Sequence, residues 1–223
     1  MTLAHRLAEV TERAAAAAAL SGRSIDDLTI IPVTKFHPPS LIRELHSLGV
    51  RDFAENRHQE ARQKAADLAD LDGLRWNFVG QLQGKKARQV RGYARTIHSI
   101  DRQSLVDALA SETVTTSIFL QVNLTDDPDR GGVRPDDIES LAVHALAAPG
   151  IRLLGLMAVA PLDEDPRGAF ARVRELSDKL RLVAPDAVAI STGMSGDFEA
   201  AIAEGTTHLR IGTAITGNRP EPG

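Results

Sequence analysis

The stretch AVAISTGMSGDFEAAIAEGTTHLRIG, residues 187–212, contains a complete strand–helix–strand unit. AVAIST is a short apolar run that predicts a buried parallel strand over 187–192. DFEAAIAEG predicts a short helix over 197–205, and THLRIG predicts a second strand over 207–212. Two parallel strands joined by a helix are the repeating unit of α/β folds, so this stretch indicates the class of architecture.

The same alternation extends through the rest of the chain, after a helix expected at 2–21. Six further strands are expected, at 28–34, 50–56, 75–81, 96–101, 115–124 and 152–159. The helices between them are expected at 40–49, 57–70, 84–92, 102–111 and 135–147. One more helix follows the strand at 152–159, and its apolar face contains Phe170, Val173, Leu176, Leu180 and Val183. Eight strands in strict alternation predict an α/β fold of the (β/α)8 TIM barrel type with an additional N-terminal helix. An open doubly wound sheet is the alternative. No composition change marks a boundary, so residues 1–223 are expected to form a single domain.

Composition narrows the range of functions. The net charge of −4 gives no reason to expect nucleic acid or an anionic membrane as the partner. The absence of cysteine excludes disulfides and thiolate metal sites, and the seven histidines show no metal-ligand spacing. Residues 1–13 lack the layout of a signal peptide, and the apolar run at 14–20 is too short to cross a bilayer. A cytoplasmic protein without a metal site is therefore expected.

Two glycine-containing loops follow the last two strands, at the end of the barrel where such folds carry their sites. STGMSGD follows strand seven and supplies Ser195, whereas RIGTAITG follows strand eight and supplies Gly212 and Thr213. Glycine lets backbone N–H groups approach an anion, and a helix N-terminus adds unsatisfied donors. Together the loops predict a phosphate site. The alternative is that the glycines only make turns and Ser195 only caps a helix.

Lys35 ends the first strand, within the stretch IIPVTKFHPPS at 30–40. If the barrel closes, strand one neighbours strand eight, and Lys35 comes within reach of the predicted phosphate loops. A lysine beside a phosphate site can hold a phosphorylated aldehyde as a Schiff base, and pyridoxal 5'-phosphate (PLP) is the common aldehyde cofactor. Partial burial and a nearby cation such as Arg210 would favour the neutral amine that this reaction needs. Lys35 as a phosphate counter-ion or a solvated lysine remains an alternative.

Longer motifs carry a resemblance that covers almost the whole chain. They are VTKFHP (33–38), FAENRHQEA (53–61), WNFVGQLQGKK (76–86), HSIDR (98–102), QVNLTDDPDRGG (121–132), GLMAV (155–159) and STGMSGDFEAAIAEGTTHLRIGTAITG (191–217). Together they resemble the pyridoxal phosphate homeostasis protein family, the single-domain relatives of the alanine racemase N-terminal barrel. The last motif is long and specific.

The resemblance implies a role for each matching residue. Lys35 would carry PLP as an internal aldimine, and Arg210 would approach the pyridine nitrogen. The phosphate would be held by Ser195, Gly212 and Thr213, and the ring pocket would be lined by Asn56 and Met194. Simpler interpretations are that Asn56 caps the following helix, that Met194 fills the core and that Arg210 is an ordinary barrel residue in a salt bridge.

The resemblance also implies a function. The protein would bind, buffer and deliver PLP, with apo PLP-dependent enzymes as possible partners, and would be a monomer without catalytic residues. A racemase of this barrel type needs a second base, a tyrosine from an additional domain, and the single tyrosine here, Tyr93, is expected at the opposite end of the barrel. The alternatives are a PLP-dependent enzyme with weak racemase or lyase activity, and a Schiff-base aldolase acting on sugar phosphates.

The chain departs from the family pattern near the predicted site. A second lysine is replaced by His37, a tyrosine by Arg57, a histidine by Asn77, an asparagine by Lys85, a methionine by Thr192 and a phenylalanine by Thr216. None of these changes removes an expected cofactor contact. They put in doubt any second PLP site at the surface that uses the family's lysines.

Overall fold

The computed structural model describes residues 1–125, 127 and 130–219. The strands are β1 (Thr29–Pro32), β2 (Asp52–Glu55), β3 (Arg75–Phe78), β4 (Ala94–Ile100), β5 (Thr116–Gln121), β6 (Ile151–Met157), β7 (Ala189–Ser191) and β8 (His208–Ile211). The helices are α1 (Leu3–Leu20), α2 (Pro39–Ser47), α3 (His58–Asp67), α4 (Gly84–Arg91), α5 (Gln103–Leu109), α6 (Ile138–Ala147), α7 (Pro166–Leu180), α8 (Phe198–Ala203) and α9 (Thr213–Thr216). Three residues of the motif QVNLTDDPDRGG, namely Asp126, Pro128 and Asp129, and residues 220–223 lie outside the described part.

The eight strands form one parallel sheet in the order β1-β8-β7-β6-β5-β4-β3-β2. The two outer strands meet through a parallel bridge between Val33 and Ala54, and Thr34 N donates to Ala54 O at 3.0 Å. This contact closes the sheet into a barrel. The predicted TIM barrel is therefore confirmed, and the open doubly wound sheet is wrong.

The strands are short because only their central residues are covered on both sides. Buried apolar residues face the surrounding helices, among them Phe53, Ile118, Leu156 and Leu209. Near the carboxyl ends the chain turns away sooner than the sequence pattern predicts, and the fifth strand ends at Gln121 instead of 124. The residues after each strand are thus free to form loops at one rim.

The additional N-terminal helix is confirmed as α1, and it packs against α8 and α9. Thr2 caps the helix by accepting a hydrogen bond from His5 N, which satisfies one of the donors that helix starts leave unpaired. From α1, Arg6 Nε donates to Ile215 O at 2.7 Å. This bond holds the short helix α9, which the sequence pattern did not predict, directly after β8. In the described part of the chain no helix has the length and apolar character needed to span a membrane.

Candidate functional site

The register between β1 and β8 brings Lys35 next to the loop that starts α9. Pro32 pairs with Ile211, and Val33 N donates to Ile211 O at 2.8 Å. Gly212 directly follows Ile211, and Lys35 lies three residues after Pro32, so both lie beyond the carboxyl ends of adjacent strands. The expected proximity of Lys35 to the loop after strand eight therefore follows from the observed pairing.

Lys35 is exposed at this rim. Its Nζ lies 6.0 Å from the centre of the Phe36 ring. The same ring contacts two guanidinium groups, those of Arg57 at 4.6 Å and Arg219 at 4.1 Å. The amine is therefore accessible to an aldehyde, in a strongly cationic part of the rim.

The β7–α8 loop makes a tight turn that presents Ser195. Gly193 has a φ of +88°, and a Cβ there would lie 2.8 Å from the Ala201 Cβ, so only glycine fits. The Ser195 hydroxyl accepts a hydrogen bond from Ala214 N at 3.1 Å and makes no cap for α8, whose first turn follows Asp197. Ser195 thus joins the two loops that were predicted to act together.

The space beside these loops is open. A Cβ placed on Gly196 or on Gly212 would meet no atom of the described residues within 4 Å. Thr213 is exposed and is the first residue of α9, a position whose own backbone N–H has no partner within the helix. The serine and threonine hydroxyls and the unshielded backbone therefore border an open space of the kind that suits a phosphate.

Met194 is half-buried in the same turn, and its backbone N–H bonds to the Asp197 carboxylate. This bond fixes the backbone around Ser195. Because the side chain is only half-buried, the interpretation of Met194 as core filler loses support.

Arg210 is buried inside the barrel, with only 4% of its surface exposed. Nη1 donates to Ser191 O at 2.6 Å and to Ser191 Oγ at 2.7 Å, and Nη2 donates to Ala158 O at 2.9 Å. These bonds use three of the five N–H donors of a guanidinium and leave two. Burial lowers the pKa of Arg210 to about 10, a value at which the group is still charged at neutral pH. The interpretation of Arg210 as one half of an ordinary salt bridge is not supported by these neutral partners.

A buried chain of hydrogen bonds continues from Arg210 through the barrel. His98 Nδ1 lies 2.9 Å from Ser191 Oγ, and His98 Nε2 lies 3.1 Å from Asn77 Oδ1. Since the Ser191 hydroxyl accepts from Arg210, it donates its own hydrogen to His98 Nδ1, and Nε2 carries the imidazole proton. Burial, with a smaller contribution from Arg210, holds the pKa of His98 well below its usual value and keeps the ring neutral.

Asn56 lies at the carboxyl end of β2. Its Oδ1 is buried and has no hydrogen-bond partner within the described residues, and the residue at the N-cap of α3 is Arg57. Asn56 is therefore not the cap of that helix. An unpaired buried acceptor is costly, and it borders a cavity of ≈ 310 Å³ that Phe78 and Gln81 also line.

Several residues that support the site were not identified from the sequence. Ser191, Ala158 and His98 hold Arg210, and Glu60 and Lys64 contact the backbone around Lys35. The i, i+4 spacing of Glu60 and Lys64 was visible, but it is typical of a solvated helix face. No signal in the sequence indicated that Ser191 and Arg210 face each other, because that contact depends on strand register.

The fold and the site define a class of protein, the alanine racemase type of barrel with a lysine at the end of β1. The family model described as "Alanine racemase, N-terminal domain" matches residues 6–220. The alanine racemase of Corynebacterium glutamicum is 17% identical with a TM-score of 0.67, over 96% of this chain and 62% of that one, which shows the fold alone. Within the described residues no cluster of side chains suits a metal ion.

Within this class the chain belongs to the pyridoxal phosphate homeostasis protein family. The family member of Pseudomonas aeruginosa is 39% identical, over 98% of this chain and 96% of its own length. That of Mycobacterium tuberculosis is 36% identical, over 97% and 93%. The structure of PipY from Synechococcus elongatus with PLP bound is 34% identical with a TM-score of 0.84, and covers 97% of this chain and 100% of that one.

Proposed function

We propose that this protein binds PLP at the rim formed by β1, β7 and β8, with the aldehyde held by Lys35 as a Schiff base. The observation that supports the proposal is the pairing of β1 with β8, because it brings the segments that carry the exposed Lys35 and Gly212 to the same rim of the barrel. PipY, a relative of similar length, is described with PLP bound, and the family is named for PLP homeostasis.

The residues present fit the phosphate of PLP. Ser195 and Thr213 offer hydroxyl groups, and Thr213, next to Gly212, offers a backbone N–H at the start of α9. A side chain at Gly196 or Gly212 would occupy the space where the phosphate would lie. Arg6 of α1 stabilises the position of α9 through its hydrogen bond to Ile215 O. The cradle is thus held in place without a ligand.

The residues present also fit the pyridine ring. Arg210 has two donors left after its bonds to Ser191 and Ala158, and one of them would reach the ring nitrogen. The unpaired Oδ1 of Asn56 and the half-buried Met194 would lie along the ring. PLP supplies an electron sink in enzymes, and an arginine at the nitrogen keeps that atom unprotonated, which weakens the sink.

We infer that the protein is a carrier and not an enzyme. In the racemases that this barrel resembles, a tyrosine serves as the second base. Tyr93 precedes β4, at the amino-terminal end of the barrel, and its ring stacks on His58. Burial raises the pKa of this phenol further above its usual value, so that it stays protonated at neutral pH and cannot accept a proton. The exposed Lys35 suits exchange of PLP with solvent better than it suits a dry reaction site.

The physiological role that fits these features is to buffer PLP in the cytoplasm and to release it to apo PLP-dependent enzymes, with the protein acting as a monomer. Delivery would be measured as the rate at which an apo-enzyme regains activity from the loaded protein. A rate faster than that from free PLP at the same unbound concentration supports delivery, and an equal rate contradicts it.

The binding proposal is tested by titrating the purified protein with PLP and recording the near-visible absorption of the imine. Wild type and Lys85→Ala, which removes another exposed lysine on the same rim, should give the same saturable signal. Lys35→Ala should give none. A signal that survives in Lys35→Ala would contradict the role of Lys35.

The same loaded protein tests the non-catalytic proposal. Incubation with single L-amino acids, followed by chiral separation, should show no racemisation above that caused by free PLP. Turnover above that level would favour the alternative of a weak racemase or lyase. If no PLP is bound but a sugar phosphate is, the aldolase alternative gains support.

A further inference from the structure

A buried lysine that donates three hydrogen bonds contacts the backbone next to Lys35. Lys64 of α3 is 4% exposed, and its Nζ donates to Glu55 Oε1 at 2.7 Å, to Glu60 Oε1 at 2.7 Å and to Thr34 O at 2.8 Å. Thr34 Oγ1 donates to the same Glu55 oxygen at 2.6 Å. Lysine and glutamate are rarely buried unless they are paired, so this group of four residues is a costly arrangement for stability alone.

The two ends of this network contact the two peptide groups that flank Lys35. Thr34 O belongs to the peptide group before Lys35, and it accepts from Lys64 Nζ. Phe36 N belongs to the peptide group after Lys35, and it donates to Glu60 Oε1 at 2.6 Å. Thr34 O also accepts from His37 N at 3.1 Å, which closes a turn around Lys35. Charged partners therefore fix the backbone on both sides of this one residue.

The backbone at this turn is strained. Phe36 has a φ of +68°, and within the described residues it is the one non-glycine residue with a positive φ. Such a conformation is unfavourable for a side chain with a Cβ, and it persists only where the surroundings fix it. The bond from Phe36 N to the Glu60 carboxylate supplies that support. The ion network therefore stabilises the strained conformation of Phe36.

We propose that Glu60 and Lys64 are positioning residues for Lys35. By holding Thr34 O and Phe36 N, they set the direction of the Cα–Cβ bond of Lys35, so that its flexible side chain starts towards the loop at Gly212. The inference rests on the proposed function of Lys35, and it extends that function to residues of α3 that touch neither the ring nor the phosphate. An exposed amine on an unconstrained loop would sample many directions and would react more slowly.

Glu60 is the better residue to change, because its side chain is partly exposed and its loss leaves the buried Lys64–Glu55 pair intact. Glu60→Ala removes the acceptor of Phe36 N. Glu60→Gln removes the charge but keeps an oxygen that can accept from Phe36 N and Lys64. Asp70→Ala is the matched control, since it removes a carboxylate from a surface ion pair with Arg43, away from Lys35.

Stopped-flow absorption would give the rate constant of imine formation at fixed PLP concentration. Loss of a hydrogen bond to a charged group predicts a rate about tenfold lower in Glu60→Ala. Glu60→Gln should recover most of the rate, and Asp70→Ala should equal wild type. A merely structural role for Glu60 would lower the melting temperature without this pattern of rescue.

Hydrogen exchange of the unliganded protein provides a readout that does not depend on PLP. Glu60→Ala should speed exchange of the Phe36 amide at least tenfold, whereas Asp70→Ala should not change it. Unchanged exchange, or equal rates of imine formation in wild type and Glu60→Ala, would overturn the positioning role and leave the proposed function intact. Absence of an imine in wild type would instead overturn the proposed function, and with it the purpose assigned to this network.

Discussion

Nη1 of Arg210 donates to both the main-chain oxygen and the hydroxyl of Ser191, at 2.6 Å and 2.7 Å, across the neighbouring strands β8 and β7. The shared nitrogen fixes the plane of the guanidinium. Because His98 accepts from the same hydroxyl, the orientation of Arg210 depends on a buried polar chain that begins on the far side of the barrel.

Ser191→Ala should lower the free energy of unfolding by about 1–3 kcal/mol, because it leaves His98 Nδ1 buried without a partner and removes one acceptor of Arg210. Urea denaturation measures this change. The control is Ser99→Ala on β4, where the buried hydroxyl has no hydrogen-bond partner in the part of the chain that the structure describes, so its loss should be neutral or stabilising. Equal destabilisation by the two changes would contradict the importance of the Arg210–Ser191–His98 chain.

Gly80→Ala should displace the loop that carries Asn56. A Cβ at position 80 would lie 2.0 Å from Asn56 O, a backbone atom that cannot move away freely. The expected result is a loss of stability of about 1–3 kcal/mol together with weaker PLP binding. Gly84→Ala is the matched control, since its Cβ would meet nothing within 4 Å at the start of α4. It should be neutral or stabilising by up to about 1 kcal/mol, as alanine favours helix. PLP binding unaffected by Gly80→Ala would count against a role for Asn56.

Arg6→Ala should weaken phosphate binding at a distance. The change removes the donor to Ile215 O that fixes α9, and a hydrogen bond of about 1 kcal/mol predicts roughly a fivefold rise in the dissociation constant for PLP. Arg13→Ala, on the same helix, removes an exposed ion pair with Glu199 of α8 and should leave PLP affinity unchanged. Titration of both variants decides whether α9 needs support from α1.

Stability should fall as the pH is lowered below neutrality. Burial lowers the pKa of His98 well below 6.5 and that of His208 to about 4. Below about pH 6.5 the unfolded chain therefore binds more protons than the folded protein, and each histidine costs up to about 1.4 kcal/mol per pH unit until its folded pKa is reached. His37, whose pKa is also lowered by burial, acts in the same direction.

His98→Gln isolates one of these contributions, because glutamine does not titrate and the other groups cancel in the comparison with wild type. Unfolding free energies between pH 7.5 and 5.5 should decline less steeply in His98→Gln than in wild type. Parallel declines would show that His98 is protonated in the folded protein, against the neutral ring inferred from its hydrogen bonds.

The fold was predictable from the sequence because each strand and helix has its own local signal. Apolar runs mark the strands, and these strands alternate strictly with helices. To form a barrel, such a chain needs only one further contact, between the two outer strands, and the Val33–Ala54 bridge supplies it. Helix α9 was missed because four residues are too few for a periodic pattern, and its position depends on Arg6, which is more than two hundred residues away in the chain.

The site was predictable only in part. Lys35, Ser195, Gly212 and Thr213 follow strands, and their positions come from topology and from the family resemblance. The exposure of Lys35 and the partners of Arg210 could not be predicted, because they depend on which faces of neighbouring strands meet. Lys64 and Glu60 resembled surface charges, and their contact with Thr34 and Phe36 requires the tertiary packing of α3.

The most direct test of the account is to reduce the PLP-treated protein with borohydride and map the modified lysine by peptide mass spectrometry. The account predicts one phosphopyridoxyl group per chain, on Lys35, with no comparable labelling of Lys64, Lys85 or Lys86. Labelling spread over several exposed lysines, or an unmodified Lys35 at saturating PLP, would contradict it.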